Sequence, residues 1–221
     1  MGNKLTDAQI QANKLEFINL LMSTGRENID KLINWLENSS DFFTAPSSTI
    51  YHGDYDGGLC QHSLNVYKAI KAFIKNGKDL PVKENAVEEI PEDVLIISTL
   101  LHDVCKANFY VPEIKFTKDD ATGAWKKYKS YKCVDSFPVG HGEKSVIMLQ
   151  NFIRLKTQEI LAIRWHMSFF DPGSFISPYE KPAQLAAADA CPLVTLLQIA
   201  DYYASHLMEY AIDQKVENVV Y

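Results

Sequence analysis

Between Leu59 and Phe73 apolar residues return every three or four positions, and His62 and Ser63 fall on the same face as Leu59, Val66, Ile70 and Phe73. That period belongs to a helix whose apolar side is turned inward. Such a helix has to bury its stripe against other elements, so the chain is constrained to a packed assembly in which a histidine faces the core. The same period recurs along the sequence. Behind a Thr6 N-cap, Ile10, Leu15, Phe17, Ile18 and Leu21 form one stripe, and Ile29, Leu32, Ile33 and Leu36 form the next. Ser39 to Tyr51 reads as a loop around Pro46, after which Gly57 and Gly58 open the His62 helix and Asn76, Gly77 and Pro81 close it. Pro91 at a first helical position, followed by Glu92 and Asp93, starts a helix expected to run to about Lys106.

One region breaks the period. FYVPEIKF and WKKYKSYKCV flank the turn-rich KDDATGA, which predicts a β-hairpin between Asn108 and Val139. Helical spacing resumes over His141 to Arg154 and Thr157 to Met167. After the loop FFDPGSFISPYEKP it continues to the C-terminus, with a break near Pro192. The expected fold class is all-α, a helical bundle carrying one small hairpin.

Composition narrows the function. A net charge of −6 argues against a surface built to track a polyanion. Cys60, Cys105, Cys133 and Cys191 form no C-x-x-C pair and read as reduced residues of a cytoplasmic protein. The N-terminal residues lack the apolar stretch of a secretory leader, and the longest uncharged apolar segment, Val94 to Leu101, is far short of a bilayer span. No membrane association is expected. Neither a G-x-S-x-G elbow nor a P-loop or dinucleotide-binding glycine pattern occurs.

Chemistry is concentrated in histidine and aspartate. His62, His102, His141 and His166 each sit on or at the start of an expected helix, and Asp201 interrupts the apolar run LLQIADYYAS. A buried carboxylate is costly unless it is paired, hydrogen-bonded or bound to metal. The pair His102–Asp103 closes the apolar run DVLIISTLL, with Lys106 expected one turn later on the His102 face. Imidazole and carboxylate suit Mn²⁺, Fe²⁺, Co²⁺, Ni²⁺ or Zn²⁺, and a bundle can converge such ligands from separate helices.

In this order, His62 in GGLCQHSLNVY, His102 and Asp103 in LLHDVCK, and Asp201 in IADYYAS, the sequence resembles the HD-domain metal-dependent phosphohydrolase superfamily. The resemblance covers about Tyr51 to Ala211. It implies an HD domain over residues 51–221 preceded by a helical appendage, 1–50. It also implies His62, His102, Asp103 and Asp201 as metal ligands, with His141 and His166 as ligands of a second ion or contacts to the leaving group. The cofactor implied is a divalent ion (Mn, Fe, Co, Ni, Mg or Zn), one or two per chain. Asp103 is expected to bridge two ions, and Lys106, with Lys144 or Arg164, to hold the substrate phosphate. A bound ion would make hydroxide available and offset phosphoryl charge.

The expected activity is hydrolysis of a small phosphate ester or anhydride, a nucleotide by class. Two alternatives stand beside it: a nucleic-acid or cyclic-nucleotide phosphodiesterase, and a metal-binding nucleotide sensor without turnover. The bacterial 3′–5′ exoribonucleases with a similar histidine order join their HD domain to an OB-fold, which no segment here resembles. In WKKYKSYK lysines and aromatics alternate so that neither strand face is wholly basic or wholly aromatic, and nucleic acid is the less favoured partner. His52 either lines the mouth of the site or packs its loop. His206, five residues after Asp201, falls on another helix face and reads as structural.

Overall fold

The hydroxyl of Thr6 accepts from the Gln9 backbone N–H, and the Gln9 side chain accepts from the Thr6 N–H. This reciprocal cap starts helix α1, Asp7–Ser23. The structure is a computed structural model that describes residues 5–49, 51–77, 90–118, 123–167 and 179–209. Helix α2 covers Ile29–Asn38, α3 Gly58–Asn76 and α4 Glu92–Leu101. The antiparallel strands β1 (Tyr110–Lys118) and β2 (Trp125–Cys133) follow, in a register running from Tyr110 opposite Cys133 to Lys118 opposite Trp125. The chain then forms α5 (His141–Gln150), α6 (Thr157–Trp165), α7 (Glu180–Ala190) and α8 (Pro192–Tyr203), which passes into a π-helical turn, Ala204–Met208. The fold is helical with one small hairpin, as the periodicity predicts. Most of the loop FFDPGSFISPYEKP, the stop at Pro81, part of KDDATGA and the chain after Glu209 lie outside the described residues.

Two apolar clusters share the helices that carry the first histidines. Phe17 and Leu21 of α1, Leu32 and Leu36 of α2 and Phe42 beyond it are buried with Leu59 and Leu64 of α3 and Ile97 and Leu100 of α4. The first fifty residues therefore share a core with the segment that follows them. Val66 and Ile70 of α3, Val94 and Leu95 of α4, Ala162 of α6 and Leu193, Val194 and Leu197 of α8 make the second cluster. Polar side chains on α3 and α4 are thus locked by packing on both sides.

Several boundaries differ from the sequence expectation. α4 ends at Leu101 and does not run on to Lys106: Asp103 leaves the helical region (φ −105°, ψ 18°), and Val104–Lys106 form a 3₁₀ turn. Lys106 therefore meets Asp103 instead of sharing a helix face with His102. Pro91 precedes the helix as its cap, α5 stops at Gln150 and α6 at Trp165. Cys133 is exposed, while the other three thiols are buried.

Two glycines are required where backbones meet. A Cβ on Gly58 would lie 2.0 Å from the Gly53 carbonyl oxygen, and one on Gly142 would lie 2.2 Å from that of Arg164. The first contact seats the 47–53 loop, and with it His52, against α3. The second brings α5 onto α6, so that the His141 and His166 rings are 5.3 Å apart. Among the described residues no single helix is long and apolar enough to cross a membrane.

Candidate metal centre

Six side chains expected at the site converge from five helical segments. His62 Nε2 lies 3.3 Å from His102 Nε2, 3.2 Å from Asp201 Oδ1 and 3.6 Å from Asp103 Oδ2. On the other side of Asp103, Oδ1 is 2.7 Å from His141 Nε2 and 3.4 Å from His166 Nε2. The two oxygens of Asp103 thus face different histidine pairs. The side chains of His62, His102, Asp103 and His166 are almost wholly buried, whereas those of Asp201 and His141 are 18% and 31% exposed. Solvent reaches the cluster along that edge.

Hydrogen bonds on the far side of each ring set its orientation. His102 Nδ1 bonds the Thr99 carbonyl and His166 Nδ1 the Ile163 carbonyl, both at 2.7 Å. A carbonyl only accepts, so each Nδ1 carries a hydrogen and each neutral ring turns a lone pair inward at Nε2. His62 also turns Nε2 inward, with its Nδ1 held by Glu209, whose Oε1 lies 2.8 Å away. Three imidazole Nε2 atoms and two carboxylates therefore face one another inside the protein. Among the described residues His166 Nε2 is buried without a hydrogen-bond partner. Once His62 gives up its proton the inward set is all acceptors, as a divalent cation requires, and the donor types fit a borderline or hard metal. Two of the trios close enough to hold an ion are His62–His102–Asp103 and His102–His166–Asp201; a third, Asp103–Cys105–His141, lies on the other side of Asp103.

Without a metal, protons and Lys106 offset this charge. Burial disfavours the His62 imidazolium, but Glu209 and Asp201 outweigh it and push its pKa up to about 10. Burial takes His102 the other way, to about 4. Burial opposes ionisation of Asp103, yet Lys106 and His102 hold it well below the usual carboxylate range. Lys106 Nζ donates to Asp103 Oδ2 at 2.7 Å, and that carboxylate keeps the ammonium charged against its burial.

The remaining expected cations are held by other carboxylates. Lys144 donates to Asp135 Oδ1 at 2.5 Å and lies over the Phe109 ring, while Arg164 pairs with Glu143 and stacks on Trp165. His206 is exposed and stacks on Tyr202. Three residues near the cluster escaped the sequence reading or were left open in it. Glu209 grips His62, Cys105 Sγ lies 3.4 Å from His141 Nδ1, and the His52 ring is 5.0 Å from that of His62. Only His52 carried a signal, its place beside the glycine pair.

No curated protein and no solved structure gives a significant match to the chain. The family model for the HD domain, however, matches residues 59–205, about two thirds of the sequence. That span takes in His62, the His102–Asp103 pair and Asp201 alike, and the chain belongs to the HD-domain superfamily of metal-dependent phosphohydrolases.

Proposed function

We propose that this protein hydrolyses a small phosphate ester or anhydride, a nucleotide by class, with one or two divalent ions held by His62, His102, Asp103, His141, His166 and Asp201. The observation that carries this reading is the convergence of imidazole Nε2 atoms and carboxylates, the three buried rings each held from behind at Nδ1. A divalent ion bound there supplies Lewis acidity to water and to phosphoryl oxygens. The protein's own groups do the rest. Asp103, with an oxygen toward each histidine pair, would be the ligand shared between the two halves. Lys106 fixes that carboxylate, and its remaining N–H bonds are available to a phosphate oxygen. Asp201 and His141, at the open edge, border the path by which substrate arrives, and the buried histidines behind them keep water out.

Lys144 and Arg164 remain proposed phosphate contacts, each needing release from its present carboxylate. We place the protein in the cytoplasm, where its thiols stay reduced. A second reading, strand-directed phosphodiesterase, rests on the outer hairpin. Its register sets Phe116 opposite Lys127 and Lys118 opposite Trp125, and Phe116 and Trp125 are 64% and 71% exposed.

Turnover of a nucleotide and oligonucleotide panel, with Mn²⁺, Mg²⁺, Co²⁺ and Ni²⁺ supplied separately, distinguishes these readings. Mononucleotides are expected to be cleaved in preference to oligonucleotides, with weak dependence on salt. Steeply salt-sensitive degradation of single strands, lost when Lys126, Lys127 and Lys129 are neutralised, would establish the second reading instead. Metal binding without cleavage of any compound would mark a sensor. Elemental analysis separates one ion from two: substituting His141 or His166 should lower a count of two toward one.

A further inference from the structure

Two of the three buried histidines are oriented by their own helices. His102 and His166 each donate from Nδ1 to the carbonyl three residues back. His62 has no such partner, and the Leu59 carbonyl accepts from the Ser63 hydroxyl at 3.1 Å. Its Nδ1 is met instead by Glu209 Oε1 at 2.8 Å, from a residue 147 positions away. Asn65 Nδ2, one turn along α3, reaches the same oxygen at 3.3 Å.

We infer that Glu209 is a positioning residue for the metal centre: it holds His62 in the tautomer and ring orientation that present Nε2 to the ion. This inference rests on the metal reading of the site given above. A carboxylate behind a histidine ligand makes the ring a stronger donor than a carbonyl does, so His62 is set apart from His102 and His166.

The backbone is arranged for this contact. Asp201, on α8, touches His62 at Nε2, and Glu209 touches it at Nδ1, so one helical run grips both nitrogens of one ring. In a regular α-helix eight residues rotate by about 80° beyond two full turns, which would carry residue 209 away from the Asp201 face. The π turn absorbs one extra residue, marked by the Glu209 N–H bonding to the Ala204 carbonyl five residues back. Without that residue the rotation falls about 20° short of two turns, and Glu209 returns to the face of Asp201. The wide turn therefore has a purpose at the site.

The test uses the full chain, stripped with chelator and titrated with Co²⁺ alone, in wild type, Glu209→Gln, Glu209→Ala and Asp103→Ala. Glu209→Gln is the deciding variant, since the amide fills the same space, stays a weaker acceptor and lacks the charge. We expect Co²⁺ affinity to fall about tenfold in Glu209→Gln and up to about a hundredfold in Glu209→Ala. The visible Co²⁺ bands, which report coordination, should shift in both. A packing role would instead leave the affinity per folded chain and the bands at their wild-type values. Co²⁺ affinity in Glu209→Gln within about twofold of wild type overturns the inference, whatever Glu209→Ala does. Failure of wild type to bind Co²⁺ at all would instead overturn the metal reading.

Discussion

Among the described residues, two polar clusters are completed in different ways. In one, Arg26 between α1 and α2 donates to Asp93 Oδ2 at 2.9 Å and to the Arg154 carbonyl at 3.1 Å, and pairs with Glu159, whose other oxygen accepts the Lys156 N–H. Lys156 Nζ completes Asp93 at 2.7 Å. Every carboxylate there meets a cation of the chain itself. In the other, His62, His102 and His166 turn Nε2 toward Asp103 and Asp201, with Lys106 at one edge as the chain's own ammonium. Buried polar groups need partners, and burying charge without one is expensive. Where side-chain cations meet every carboxylate, the cluster ties helices together; where protons and one lysine balance convergent metal-type ligands, a divalent ion from solution can replace the protons.

The largest effect should come from Asp103, which faces both halves of the centre. Asp103→Ala is expected to abolish hydrolysis and to remove metal binding, while far-UV circular dichroism keeps its helical form. It should also uncouple stability from metal. An ion at a hundredfold excess over its Kd stabilises a wild-type fold by about 2.7 kcal/mol, and in the variant that gain should vanish. Wild-type turnover by Asp103→Ala would end the assignment of this cluster as the reaction centre.

Arg26 provides the converse test. Its loss strands Glu159, which is fully buried, and removing one partner of a buried pair costs about 3–5 kcal/mol. Arg26→Ala should therefore lower the urea midpoint strongly but leave the number of Co²⁺ ions bound per folded chain unchanged. Loss of metal in step with stability would show that the two clusters are coupled, and the contrast between them would fail.

These clusters were unequally legible in the sequence. His62, His102, Asp103 and Asp201 stood out because each breaks an apolar helical pattern, a local signal that survives without a structure. Thr6 as a cap and the hairpin around KDDATGA were legible for the same reason, being short-range chemistry. Arg26 and Glu159 were not, since they are 133 residues apart and each alone resembles an ordinary surface charge. Glu209 was hidden by the π turn: counted in regular helical steps from Asp201, it falls on another face. The end of α4 at Leu101 was missed because apolar spacing continues through Val104, and only the Asp103 backbone records the break that aims this carboxylate inward.

The smallest effect concerns how the closed cluster responds to acid. Partial burial opposes ionisation of Asp93, but its hydrogen bonds with Lys156 and Arg26 prevail and hold its pKa below the usual value. Unfolding thus raises that pKa toward about 3.9, and the unfolded chain binds the proton more tightly. The stability Asp93 contributes is whole above that ordinary value and is lost as pH falls through the folded one. Glu159 runs in the opposite sense: burial outweighs the Lys156 N–H and Arg26 and raises its pKa, so its contribution is present at acid pH and is lost as pH rises through the raised value. With Lys156 half exposed, the Asp93 share should be about 1 kcal/mol or less. Urea unfolding in chelator from pH 5 to about 3.5 should therefore show a shallower acid loss in Asp93→Asn than in wild type. Glu159→Gln should instead remove a decline of stability toward neutral pH. Parallel curves for wild type and Asp93→Asn would mean that Arg26 acts through Glu159 alone, and that the closed cluster is a pair instead of a network.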